Sequence, residues 1–136
     1  MARKPVRFTG IQARAVGRGF AACVKRTECV VHACVILPDH AHLVIARNRY
    51  SIEQVANLLK GAATHQLNVE GLHPFADHSY EDGTRPTPWG RRSWNRYLST
   101  DEDIMRSIKY VENNPLREGK PKQHWSFVTP WQPDHA

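Results

Sequence analysis

The chain has 136 residues, of which 40% are hydrophobic, and this suits one folded domain over residues 1–136 with a modest core. No apolar stretch is long enough to span a bilayer, and Arg14 and Arg18 interrupt any signal-like apolar run. Three cysteines form no CxxC pair, which argues against a disulfide framework or a thiolate zinc site. We therefore expect a cytoplasmic protein without a membrane segment.

The positive charge of the chain lies in blocks. The net charge is +6, and the segment Arg3–Arg26 holds seven Lys and Arg residues and no acidic residue. A second block, Arg85–Arg96, holds four more basic residues and again no acid. Such blocks indicate a polyanionic partner, of which nucleic acid is the commonest, or else a solvated basic surface. Charge alone does not separate these two interpretations.

The first predicted elements are a short strand and a helix. Lys4–Phe8 is typical of a strand. Thr9 is a suitable N-cap for a helix whose apolar residues recur at helical spacing as far as Val24. Gly17 and Gly19 lie inside that helix and should weaken it by roughly 1 kcal/mol each relative to alanine.

A β-hairpin and a second helix follow. Cys29–Leu37 is rich in β-branched residues, and a Pro-Asp turn separates it from a second predicted strand, His40–Ala46. Ser51 and Gln54 then form the pattern of a capping box, with an apolar helical stripe behind them. These patterns predict an antiparallel pair of strands followed by an amphipathic helix.

The last third of the chain begins with a long loop, Gly71–Gly90, which contains prolines and glycines. Trp94–Leu98 is predicted as a strand, and Thr100 as the N-cap of a helix with an acidic first turn. Pro115 should end or kink this helix. The aromatic tail, Gln123–Trp131, should pack as a strand or cover a sheet edge.

The element order predicts an α+β sandwich. Strand, helix, hairpin, helix, strand and helix follow one another, which is close to ferredoxin-like topology. We expect a single antiparallel sheet of four to five strands with the helices packed on one face.

Two histidines stand out at the start of the second predicted strand. In a strand, residues i and i+2 point to the same face, so His40 and His42 should project together. Two adjacent imidazoles can chelate one metal ion. The alternative is a pair of surface histidines, which is common, so a metal site needs a third ligand elsewhere.

The last predicted helix supplies a second candidate group. Tyr110 and Asn114 lie one helical turn apart. Asn114 can give a metal its amide oxygen, and Tyr110 can place a phenol beside that metal. The alternative is a tyrosine whose ring packs while its hydroxyl faces solvent.

The two candidate stretches together resemble a known family. The segment "LPDHAHLVI" is similar to the HUH motif (His, hydrophobic residue, His) of one-tyrosine, IS200-like transposases. The segment "YVENNPLREG" is similar to the tyrosine motif of the REP-associated tyrosine transposases, relatives within that group. The motifs are about 70 residues apart, in the family's order, and the resemblance extends over roughly residues 28–131.

This resemblance implies an HUH fold and a transposase-like activity on single-stranded DNA, with hairpin-containing DNA as the expected partner. It assigns metal ligation to His40, His42 and Asn114, and the nucleophile to Tyr110, which would form a 5′-phosphotyrosine. The cofactor would be a divalent metal, Mg²⁺ or Mn²⁺. Imidazole ligands favour Mn²⁺, and cellular abundance favours Mg²⁺.

Rival functions remain at this point. One hypothesis is an active nickase and strand transferase, and the other is a catalytically silent DNA-hairpin-binding protein retained by its host. A metal-dependent phosphodiesterase of small molecules is disfavoured by the basic blocks. The protein would act as a monomer or homodimer. The expected phosphate contacts are Lys60, Arg91, Arg92 and Arg96.

Overall fold

The computed structural model describes residues 7–75 and 97–132. In chain order these residues form α1 (Gly10–Thr27), β1 (Val31–Ile36), β2 (Ala41–Ile45), α2 (Ile52–Val69) and α3 (Asp101–Arg117). The α+β class is as predicted, whereas the sheet in the described part of the chain has two strands rather than four to five. The predicted strands Lys4–Phe8 and Trp94–Leu98, and the loop Gly71–Gly90, lie mostly outside the described residues.

All three helices begin at the predicted N-caps. In α1 the Thr9 hydroxyl accepts from the Gln12 backbone N–H at 3.1 Å, and the Gln12 side chain accepts from the Thr9 N–H at 2.9 Å. Ser51 and Gln54 form the same reciprocal capping box at α2. Thr100 caps α3. In the described segments, none of the helices combines the length and apolarity needed to cross a membrane.

The two strands form the predicted antiparallel hairpin. Val35 pairs with His42 and Ile36 with Ala41. The turn is closed by the Leu37 N–H, which donates to the His40 carbonyl at 2.7 Å. A register irregularity between Val31 and Ala33 interrupts the regular pairing near the start of β1. The hairpin fixes which residues face each side of the sheet.

The helices occupy both faces of the sheet, so the prediction of helices on one face is wrong. Side chains on one face join a core cluster with α1 and α2, and those on the other join a cluster with α3. The reason lies in β1, which is buried on both sides. The β1 residues on the first face are Val31, Cys34 and Ile36, and the hairpin residues on the second are Ala33, Val35, Leu37 and Val44.

Two glycines let α1 approach its neighbours closely. A Cβ on Gly19 would lie 2.7 Å from the Ala62 carbonyl oxygen and from the Ala63 Cα. A Cβ on Gly17 would lie 2.2 Å from the Trp125 ring. Because no side chain fits at these points, the glycines bring α1 into contact with α2 and with the tail, which offsets their low helix propensity.

The C-terminal tail covers the free edge of β1, which confirms one of the two predicted alternatives. The Gln123 amide accepts from the Ile36 N–H at 2.9 Å and donates to the Ile36 carbonyl at 2.8 Å. Further along, Val128 forms a parallel bridge with Val31, and the Thr129 N–H donates to the Val31 carbonyl at 2.7 Å.

Pro115 does not end α3, contrary to one of the two predicted effects. The helix passes through Pro115 and extends to Arg117. Gly119, with φ of 72°, follows this end, and the Lys120 N–H donates to the Pro115 carbonyl at 2.9 Å. A proline in the last turn removes only one helical hydrogen bond, so the left-handed glycine determines where the helix stops.

Candidate active site

The hairpin turn brings two imidazole rings together. The His40 and His42 ring centroids lie 4.6 Å apart with an interplanar angle of 87°. His40 is exposed and stands just before β2, whereas His42 is half-buried within the strand and faces α3. The predicted juxtaposition of the two side chains is therefore present in the fold.

Asp39 holds the exposed imidazole. The His40 Nδ1–H donates to the Asp39 carboxylate at 2.6 Å. This hydrogen bond, which keeps the pKa of Asp39 below its usual range, places the ring proton on Nδ1. Nε2 of His40 is then the ring nitrogen left for another partner, as in the carboxylate–histidine arrangements that support metal ligands.

Burial lowers the pKa of His42 below its ordinary value. Charge on nearby His40 lowers it further, and the Asp39 carboxylate acts in the opposite direction. A lowered pKa favours the neutral imidazole, which carries the lone pair that a metal ion needs.

Tyr110 faces this pair from α3. The Tyr110 and His42 ring centroids are 6.0 Å apart at an interplanar angle of 85°. The tyrosine is 47% exposed, so a large substrate can reach it, and His42 contacts one side of its ring. The helix and the hairpin together place a phenol beside His42, whose ring also contacts His40.

Asn114 lies one turn beyond Tyr110 and is buried. Its side-chain NH₂ group is inaccessible to solvent and has no hydrogen-bond partner among the residues that the structure describes. A buried amide without a partner is rare in proteins and calls for an explanation, such as an ion or a reoriented amide. Rotation of the amide would present its oxygen, a metal ligand, at the same position.

A cleft of about 370 Å³ opens beside the phenol. His42 and Tyr110 lie on its wall, together with Arg106 and Ser107 from the preceding turn of α3. Apolar residues, among them Val44, Ile52 and Leu98, complete the described lining. A substrate in this cleft would contact both the histidine and the tyrosine.

Sequence reasoning missed a cation beside the tyrosine. The Arg117 guanidinium lies over the Tyr110 ring, 4.8 Å from its centroid. The spacing of seven residues, two helical turns, could have indicated this contact. The expectation that Pro115 would end or kink the helix obscured it.

Of the four predicted phosphate contacts, Lys60 is the one that lies within the described residues. Lys60 lies on α2, in the layer that packs against the opposite face of the sheet from α3. Arg91, Arg92 and Arg96 lie outside the described residues.

The donor types of the predicted ligand set, two imidazoles and one amide, are compatible with a divalent cation. Among the residues described, no group of three or more His, Cys, Asp and Glu side chains could hold a metal. The predicted ligand set differs from such a group because its third member is an amide. Paired imidazoles, one oriented by Asp39, and the unpartnered buried amide of Asn114 supply nitrogen and oxygen donors of the kind that Mn²⁺ or Mg²⁺ accepts.

The fold is an α+β protein, and its candidate site places a tyrosine of a helix opposite a histidine pair of a hairpin. A family model described as transposase IS200-like matches residues 2–114, a range that contains His40, His42, Tyr110 and Asn114. The chain belongs to the IS200-like transposase family. No curated protein and no solved structure matches the chain significantly.

Proposed function

We propose that this transposase-family protein is a metal-dependent endonuclease and strand transferase of single-stranded DNA, with Tyr110 as its nucleophile. The observation that carries the proposal is the edge-on approach of Tyr110 to His42, at 6.0 Å between ring centroids, in the wall of an open cleft. Family membership supports a DNA-processing role in general. The basic composition of the chain supports a nucleic-acid substrate.

The metal site of this proposal consists of His40, His42 and Asn114. A divalent cation, Mg²⁺ or Mn²⁺, held there would polarise the scissile phosphate and offset the negative charge that develops during cleavage. Three protein ligands would leave coordination positions open for phosphate oxygen or water. The buried amide of Asn114 gives this proposal its third donor.

The tyrosine would do the chemistry of cleavage. The Tyr110 oxygen would form a bond to phosphorus while the bond from phosphorus to the 3′ oxygen breaks. The phenolic proton would leave to solvent, and the 3′ oxygen would take up a proton. The products are a 5′-phosphotyrosine and a free 3′ hydroxyl, and attack by a 3′ hydroxyl would rejoin a strand without ATP.

A covalent-capture experiment tests the proposal. The protein is incubated with end-labelled single-stranded oligonucleotides, some containing hairpins, with Mn²⁺ or Mg²⁺, and the adduct is measured on a denaturing gel. We expect the parent to form an adduct and Tyr110→Phe to form none while still binding DNA. Tyr50→Phe is the matched control, because Tyr50 contacts Arg49 rather than a histidine, and it should cleave at close to the parental rate.

Two outcomes would contradict this function. Cleavage by Tyr110→Phe at the parental rate would mean that water is the nucleophile and that the protein is a hydrolytic nuclease. Hairpin binding by the parent without any adduct would favour the catalytically silent DNA-binding protein.

A further inference from the structure

The contact between Arg117 and Tyr110 depends on the continuation of α3 through Pro115. The two residues are seven positions apart, so at about 100° per residue they project from nearly the same side of the helix. Both are exposed, and the guanidinium lies 4.8 Å from the centre of the phenol ring. A cation thus stands beside the group that the proposed function assigns as nucleophile.

The charge of Arg117 is not neutralised by an acidic side chain within the described segments. Arg106, one turn before Tyr110, provides a comparison. Its guanidinium forms ion pairs with Glu102 at 3.3 Å and with Asp103 at 3.4 Å. Of the two arginines that flank Tyr110 on α3, Arg117 is therefore the one whose charge is open to an anion.

We propose that Arg117 binds the phosphate that Tyr110 attacks and is a further catalytic residue of the reaction. This inference rests on the proposed function of Tyr110. An exposed contact between a cation and a ring is weak compared with a charge-assisted, two-pronged hydrogen bond from a guanidinium to a phosphate. When DNA enters, Arg117 therefore exchanges the ring for the phosphate oxygens.

Arg117 takes part in the step by charge alone. The bond from the Tyr110 oxygen to phosphorus forms, and the bond to the 3′ oxygen breaks with its electron pair on that oxygen, which takes up a proton from solvent. The phenolic proton goes to solvent. Arg117 keeps all its protons and stabilises the non-bridging oxygens, on which negative charge grows.

The first test compares three variants in single-turnover adduct formation at saturating DNA. Arg117→Ala should lower the rate by about 100-fold, the scale of losing one charge-stabilising donor. Arg117→Lys should recover part of the loss, since it keeps the charge but not the planar fork. Lys109→Ala removes one positive charge from α3 more than two turns before Arg117 and on a different side of the helix, and it should react at close to the parental rate.

The second test measures binding without cleavage, in the Tyr110→Phe background. The phosphate that the parent cuts is replaced by a neutral methylphosphonate. This change should weaken DNA binding by Tyr110→Phe several-fold more than it weakens binding by Tyr110→Phe/Arg117→Ala. A purely structural contact of Arg117 with the ring would give the same loss in both proteins.

The outcomes separate the two proposals. A parent protein that forms no adduct overturns the proposed function. A parent that forms the adduct, with Arg117→Ala reacting as fast as Lys109→Ala, overturns the role of Arg117 alone. Equal sensitivity of the two Tyr110→Phe proteins to the methylphosphonate also overturns it.

Discussion

The hydrogen bond between Asp39 and His40 shows how a turn residue orients a neighbouring histidine, which we propose as a metal ligand. The distance from Nδ1 of His40 to Oδ1 of Asp39 is 2.6 Å, and the hydrogen bond orients the ring so that Nε2 is left for another partner. The sequence predicts the histidine pair, because alternation in a strand is a local rule. From the sequence alone, Asp39 is a residue of the predicted turn, because only the folded turn shows that its carboxylate points toward His40.

At this residue, we predict that Asp39→Ala weakens Mn²⁺ binding by about 10- to 100-fold, because the imidazole loses its fixed tautomer and orientation. Asp39→Asn should retain more of the affinity, since an amide oxygen still accepts the Nδ1–H. Affinity can be measured by calorimetry on the DNA-free protein, with Asp101→Ala as the control for loss of one exposed carboxylate. Unchanged affinity in Asp39→Ala would remove Asp39 from the site.

Among the elements, the close packing of α1 against α2 depends on the absence of a side chain at one position. The Cβ of an alanine at residue 19 would meet the backbone of Ala62 and Ala63, which cannot rotate away. Gly61, by contrast, lies inside α2 at a point where an added Cβ would have no atom within 4 Å. The two glycines share the same helix propensity and differ only in their surroundings.

We therefore predict opposite effects from the same substitution. Gly19→Ala should lower the free energy of unfolding by about 1–3 kcal/mol, because the helices must separate. Gly61→Ala should raise it by about 0.5–1 kcal/mol, because alanine is the better helix former. Urea unfolding of both variants measures this difference, and stabilisation by Gly19→Ala would contradict the packing described for α1 and α2.

The elements also show where prediction from sequence succeeds. The caps at Thr9, Ser51 and Thr100 depend on hydrogen bonds within three residues, and all three were predictable. The face of the sheet on which α3 packs could not be predicted, because β1 is apolar on both sides and its sequence pattern favours neither face. Arg117 was missed because Pro115 was expected to end or kink α3, whereas the helix continues through Pro115 and includes Arg117.

At the scale of the whole molecule, the net charge of +6 should govern how DNA binds. Basic side chains are exposed on several described elements, including Arg47 and Arg49 after β2 and Arg117 on α3. Contacts to phosphates release counterions, so affinity depends on salt. The family, the cleft and the charge together indicate a surface for a nucleic-acid strand rather than for a small molecule.

We predict that affinity for a single-stranded hairpin falls by about 10- to 100-fold between about 50 and 200 mM salt. The Tyr110→Phe variant should show the same slope, because it keeps every positive charge. Fluorescence anisotropy with a hairpin and with a duplex of equal length measures both quantities, and the hairpin should bind more tightly. Stronger duplex binding with a flat salt response would contradict this description.

The side chain of Gln123 has a consequence for how copies of the protein behave toward one another. By pairing with both backbone groups of Ile36, its amide occupies the position that a strand from another molecule would take. Exposed strand edges are templates for intermolecular β-pairing and aggregation. Gln123, Val128 and Thr129 thus protect the β1 edge against self-association through added strands, and Gln123 does so with its side chain alone.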